Sequence, residues 1–275
     1  MVRTFLRRKS ILVGGGIGVF AGLIIFILCN AYFGDEFHTM QDKISPSEKV
    51  DLTGMRQIQA SGGSLPRFPA LKIRLNSTNV DKIIVVNAES DPMDYVRGIP
   101  ITLLGYRDKL PEWKHYIRRL IFTGSFEIPS DLFTTEAEEA KKYGFDYQNI
   151  IIRSRFNTPD KNIDTFVTFL DNLPQNAWIH FHCHHGRGRT TLMLVMLDII
   201  KNAPQVALKD IIKRQHFIGF VDLFNTTVWK KGSYTKEMLE DRKKFIEQFY
   251  IFVCQRKAGG IQRWSEWKQM QKKEI

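Results

Sequence analysis

Cysteine is scarce in this chain: Cys29, Cys183 and Cys254 are the three in 275 residues. Cys29 lies in an apolar leader, and the spacing of the other two suits neither a zinc site nor a disulfide framework. A Cys183–Cys254 disulfide in an oxidising compartment is the weaker reading, because Cys183 has a better use. Internal repeats and low-complexity tracts are missing as well, which excludes solenoids and arrays. Acidic residues are outnumbered, 29 Asp and Glu against 40 Lys and Arg, for a formal charge of +11. Four of the positive charges, Arg3, Arg7, Arg8 and Lys9, precede the apolar run, and the remainder is still basic. A basic globule suits anionic partners such as phosphorylated small molecules, anionic lipid heads or nucleic acid. No nucleic-acid recognition motif is present and the basic residues are scattered, so no nucleic-acid partner is expected. The hydrophobic fraction of 43% supports one sizeable core.

The uncharged stretch Ile11 to Leu28 follows a short basic segment, the pattern of a secretory signal. It also reaches the lower limit for crossing a bilayer, so residues 1–34 are expected to be a signal peptide or a membrane anchor. The basic flank predicts an inside N-terminus, with everything beyond Asn30 exported: periplasmic, secreted, or held outside the cytoplasm by a transmembrane helix. The membrane is then a partner through residues 11–28 if the leader stays. Residues 35–65, with Ser45-Pro46-Ser47 and Ser61-Gly62-Gly63-Ser64, read as a linker. Residues 66–275 read as one folded domain.

Within it, the residues 82–87, 101–104, 149–153 and 177–182 read as strands. Helical patterns cover about 111–120, 135–143, 162–172, 189–202, 208–215 and 236–256. Strands alternating with helices predict an α/β domain, a central mainly parallel sheet flanked by helices.

The stretch Ala177–His182 runs straight into Cys183-His184-His185-Gly186-Arg187-Gly188-Arg189-Thr190 and then into a strongly apolar helix. Strand, Cys-x5-Arg, helix is a recipe for gripping phosphate. Gly186 and Gly188 permit the loop's backbone N–H groups to turn inward, and the helix adds its positive N-terminal end. Arg189 can hold two phosphoryl oxygens through its planar fork. The same fields favour a thiolate at Cys183, and Thr190 can donate its hydroxyl to the sulfur. The implied reaction is in-line attack on phosphorus, a phosphocysteine intermediate and hydrolysis by water, with neither metal nor cofactor needed. Cys183 and Arg189 are the candidate catalytic residues. His184, His185, Gly186, Arg187, Gly188 and Thr190 are the candidate substrate-binding residues, and His184, His185 and Arg187 read equally as a solvated basic rim. The expected partner is a phosphorylated small molecule or a phosphoprotein.

The loop resembles that of cysteine-dependent phosphatases of the protein tyrosine phosphatase superfamily. Leu173 to Cys183, Asp210-Ile211-Ile212-Lys213-Arg214-Gln215, Asp222-Leu223 and Gly98-Ile99-Pro100 resemble one branch, the tyrosine-phosphatase-like phytases that dephosphorylate inositol polyphosphates. The resemblance spans roughly residues 50–225. It implies that fold, an exported bacterial enzyme, and inositol phosphates as substrate. Phosphotyrosine or phosphoinositide substrates are the alternative. Departures matter too. Where the branch carries an Asp-His pair on its general-acid loop, Ser154 and Arg155 stand here, and where it carries Asp-Leu-Arg, this chain has Asn87-Ala88-Glu89. Asp160 is then the candidate acid, against the competing reading of a helix N-cap. Otherwise the enzyme works slowly without an acid, or the protein binds phosphorylated ligands without turnover.

Overall fold

The computed structural model describes residues 2–106, 112–153, 158–228 and 234–273, with side chains described from residue 18 onward. Helix α1 (Val2–Phe33) leads, followed by the short strands β1 (Phe37–Thr39) and β2 (Ala60–Gly63) and helix α2 (Phe68–Leu75). Next come β3 (Lys82–Asn87), the two-residue strands β4 (Tyr95–Val96) and β5 (Ile99–Pro100), α3 (Trp113–Thr123), α4 (Glu136–Lys142) and β6 (Asp146–Asn149). Helix α5 (Asp160–Asp171), β7 (Ala177–His182), α6 (Gly188–Asn202), α7 (Leu208–Ile218), α8 (Lys236–Lys257) and α9 (Trp264–Lys273) complete the chain.

The main sheet has the order β1-β2-β7-β3-β6. Its last four strands are parallel, and β1 runs antiparallel to β2 at the edge. Period-2 alternation divides the side chains between two layers. Ala177, Ile179 and Phe181 of β7 join Ile84 and Val86 in the larger core with α5 to α9. Trp178 and Val85 point the other way, to Phe68, Leu71 and Leu75 of α2 and Ala140 of α4. The sheet is therefore covered on both faces, as expected, and the loops after β2, β3 and β7 meet at its carboxyl end. In open α/β sheets that end carries the ligand site.

Helix α6 is the axis of the larger core. Every residue from Thr190 to Ile199 is buried. One buried charge on it, Asp198, is gripped by Arg214 of α7: Nε donates to Oδ2 at 2.8 Å and Nη2 donates to Oδ1. Gln215 Nε2 adds a bond to Oδ2 at 2.9 Å, and Arg214 Nη1 donates to the carbonyls of Asp51 and Thr53.

Three expectations are corrected. Residues 35–65 are no mere linker, since β1 and β2 are strands of the sheet. Ile101–Leu104 is a 3-10 turn rather than a strand, closed by Gly105 at φ 70°. The strand expected at 149–153 lies earlier, at Asp146–Asn149, and Ile150 and Ile152 are buried in the loop beyond it. The end of α1 is also built into the domain. Ile27 and Ala31 are buried, Asn30 Oδ1 accepts from Arg118 Nη2 at 2.6 Å, and Tyr32 packs edge-on to Phe122. Val19, Phe20, Ile25 and Phe26 farther up are exposed. Among the described residues no helix is long and apolar enough to cross a membrane, and part of the expected span 11–28 lies outside the described side chains.

Candidate active site

Strand β7 delivers Cys183 to the carboxyl edge of the sheet, and α6 begins five residues later. The thiol sits at the bottom of the turn, 3% exposed. Thr190, in the first turn of α6 and fully buried, places Oγ1 3.2 Å from Cys183 Sγ and 3.2 Å from the Gly63 carbonyl. Its one hydroxyl hydrogen serves one of them at a time, so the sulfur has a donor that can stabilise negative charge on it.

The apex of the loop lies on the end of β2. Gly186 has φ 69°, and a Cβ there would meet Ser64 N at 2.5 Å and Gly63 C at 2.6 Å. Both the dihedral and the close approach demand glycine. Gly188 needs no such conformation and opens α6; a methyl on it would face the Tyr234 hydroxyl at 3.6 Å. The Leu65 N–H donates to the His184 carbonyl, which ties the loop to the β2 side.

The donors of the loop converge on one carboxylate. Glu89, two residues beyond β3, accepts from His184 N at 2.6 Å through Oε1 and from Arg189 Nη1 at 2.6 Å through Oε2. It reaches them because Asn87 pairs in parallel register with His182. The backbone of this turn is pinned: Glu89 N donates to Asn87 Oδ1 at 2.7 Å, and Asn149 Nδ2 donates to the Glu89 carbonyl at 2.9 Å.

Behind the loop lies a buried polar cluster. A capping box between Thr135 and Glu138 fixes the start of α4 and so seats Glu136 in its first turn. Asn87 Nδ2 donates to Glu136 Oε2 at 2.5 Å, the Tyr147 hydroxyl donates to the same oxygen at 3.2 Å, and the Tyr95 hydroxyl donates to Oε1 at 3.2 Å. Burial, reinforced by the Glu136 charge, pushes both phenols up, so they remain donors. His182 Nε2 lies 3.0 Å from Glu136 Oε1, an ion pair when the ring is protonated. His180, two residues back, contacts Ser61 Oγ through Nδ1 at 3.0 Å, and burial foremost holds its pKa well below the usual histidine value.

The structure thus brings Cys183, His184, Gly186, Arg189 and Thr190 together. The Arg187 side chain is exposed and lies 3.3 Å from Glu36. The His184 and His185 rings meet edge to face at 4.5 Å, and burial, then the neighbouring His184 and Arg189 charges, lowers the His185 pKa. Asp160 is the first residue of α5, not its N-cap, and its Oδ1 accepts from Trp264 Nε1 of α9 at 2.7 Å. None of its described contacts reaches the loop. Ser154 and Arg155 lie outside the described residues. Sequence reasoning missed two groups. Glu89 was legible only as a departure from relatives, although its place just past a strand neighbouring β7 was a usable signal. Tyr234 had no signal. Its phenol is raised by burial, an effect opposed by Arg189 and reinforced by Cys183.

Comparisons with known proteins agree with the geometry. Residues 123–201 match the family model for tyrosine-phosphatase-like phytase, described as inositol hexakisphosphate. The PTP-like myo-inositol phosphatase from Mitsuokella multacida, solved with myo-inositol-(1,3,4,5)-tetrakisphosphate, superposes with a TM-score of 0.68 at 26% identity, covering 86% of this chain and 45% of that one. A PTP-like phytase from Bdellovibrio bacteriovorus shares the fold with a TM-score of 0.57 at 24% identity, over 77% of this chain and 86% of that one. Among curated sequences, AvrBs1.1 of Xanthomonas campestris is 38% identical over 91 residues, 32% of this chain and 86% of that protein. Effector protein hopD2 of Pseudomonas syringae is 27% identical over 135 residues, 49% of this chain and 29% of that protein. The chain therefore spans under a third of the Pseudomonas effector and under half of the Mitsuokella chain.

Proposed function

Because this chain belongs to the tyrosine-phosphatase-like phytases, we propose that it hydrolyses phosphomonoesters through a phosphocysteine at Cys183, on inositol phosphates or a similar polyanion. The observation that carries this reading is the Thr190 hydroxyl set against the Cys183 sulfur at the N-terminus of α6, with Arg189 in the same turn. Sγ attacks phosphorus in line, the S–P bond forms as the P–O bond to the leaving group breaks, and the leaving oxygen takes up a proton. Water then attacks phosphorus, the S–P bond breaks, and phosphate departs. Loop N–H groups, the helix N-terminus and the Arg189 fork stabilise the equatorial oxygens, where charge accumulates.

Asp160 is held by Trp264, and we assign it no part in this chemistry. Without it as proton donor, alkyl esters such as inositol phosphates turn over more slowly than aryl phosphates, since general acid catalysis contributes about 10²–10⁴-fold. The test is hydrolysis of p-nitrophenyl phosphate by the full chain and by Cys183→Ser. Loss of turnover in the variant is expected, and equal rates would sink the catalytic claim. The same reading puts the activity outside the cytoplasm, with the run at 11–28 as signal or anchor. Its support is the basic N-terminal flank and the kinship to a protein named as an effector.

A further inference from the structure

We propose that Glu89 is a built-in competitor for the phosphate cradle: its carboxylate takes the His184 N–H and one arm of Arg189, and a phosphoryl group binds only by displacing it. The inference rests on the reading of residues 183–189 as a phosphate loop, and it concerns what fills that loop before substrate does.

The two donors that Glu89 engages are the first backbone N–H after the nucleophile and the guanidinium that closes the motif, both at 2.6 Å. A carboxylate is planar, with two oxygens about as far apart as two oxygens of a phosphoryl group, and it satisfies such donors through charge-assisted bonds. A phosphoryl dianion needs the same N–H and the same fork, and like charges at that separation exclude each other. One of the two anions must leave. The backbone of Glu89 cannot be the part that moves, because Asn87 and Asn149 hold both its N–H and its carbonyl, and Asn87 is held in turn by Glu136 and Tyr147. The side chain can move. It is 17% exposed, as is Arg189, so a path to solvent is open. Displacement then amounts to a rotamer change of Glu89 on a fixed turn, with Arg189 exchanging one anion for another.

The competing account makes Glu89 a brace that holds the Arg189 fork in position for substrate. The two accounts predict opposite signs. The test is binding of inorganic phosphate to the full chain by calorimetry, comparing wild type, Glu89→Gln, Glu89→Ala and Arg189→Met. The near-isosteric glutamine keeps the measurement meaningful if the alanine variant folds poorly, and circular dichroism checks both. With a competitor removed, both Glu89 variants bind phosphate tighter than wild type, by about ten- to a hundredfold for one released charged hydrogen-bond partner, while Arg189→Met loses binding. Unchanged or weaker binding in both Glu89 variants, with Arg189→Met still defective, overturns the competitor and leaves the loop reading standing. Binding that is indifferent to Arg189→Met, or absent from wild type and both Glu89 variants, overturns the loop reading and the inference with it.

Discussion

Arg214 and Arg189 are each paired with a carboxylate, and the two pairs do opposite work. Arg214 and Asp198 are both 0% exposed, and Gln215 and the carbonyls of Asp51 and Thr53 complete the set. Arg189 and Glu89 are each 17% exposed, and the other Glu89 oxygen rests on a loop N–H. The first carboxylate has no substitute, because water cannot reach the guanidinium if it goes. On the proposed reading the second has a substitute, since a phosphoryl group offers oxygens to the same donors. Chemistry at the two sites is alike. Solvent access and a replaceable partner separate a rivet from an exchangeable contact.

The comparison breaks most readily at Arg214. Replacing it with Met leaves Asp198 buried and uncompensated, which costs about 3–5 kcal/mol. Urea unfolding should show the midpoint falling with little change in slope, and a loss under about 1 kcal/mol would remove the distinction. A smaller effect sharpens the contrast between buried and exchangeable polar groups at His180. Its folded pKa is depressed by burial first, then by His182 and Arg74. The unfolded chain takes up a proton below the ordinary value of 6.5 that the folded chain refuses. Stability is therefore full above pH 6.5 and falls as pH drops below it, by up to about 1.4 kcal/mol per pH unit. Unfolding followed against pH in wild type and His180→Gln should differ by that slope, and parallel curves would refute it. The smallest effect on stability is expected at Arg189. Arg189→Met should cost under about 1 kcal/mol, as partly exposed ion pairs do, in the same urea experiment. A loss as large as that of Arg214→Met would make both pairs structural.

The candidate loop at 183–189 was legible in the sequence because its parts are contiguous. An apolar strand, a short turn and a helix declare themselves in one window, and β7 and α6 stand where the pattern put them. The strand β3 was readable for the same reason, as a short β-branched run. What failed needed partners distant in sequence. Ala60-Ser61-Gly62-Gly63 has the composition of a linker, yet it is a buried strand. A Cβ on Gly62 would lie 2.7 Å from Leu194 and Thr190 of α6, so the small residues serve close packing rather than flexibility. Ile101–Leu104 is apolar enough for a strand, but four residues between Pro100 and Gly105 cannot declare their periodicity. The strand β6 lies at the sheet edge and carries Asp146, Gln148 and Asn149, so its apolar neighbours Ile150 and Ile152 attracted the assignment instead. Glu89 touches residues about a hundred positions away, and only the order β7-β3 in the sheet brings them together.

Helix α6 is both the support of the loop and part of the larger core, which buries it from Thr190 to Ile199. Any anion that settles only on the folded loop is therefore thermodynamically linked to melting of the whole domain. At a hundredfold excess over its dissociation constant it adds about 2.7 kcal/mol to the folded state. A thermal-shift screen of phosphorylated compounds should then rank ligands by the rise in Tm without a single turnover, even in a Cys183→Ser protein that performs no chemistry. No rise with a compound that calorimetry shows to bind would mean that the loop and the core melt independently.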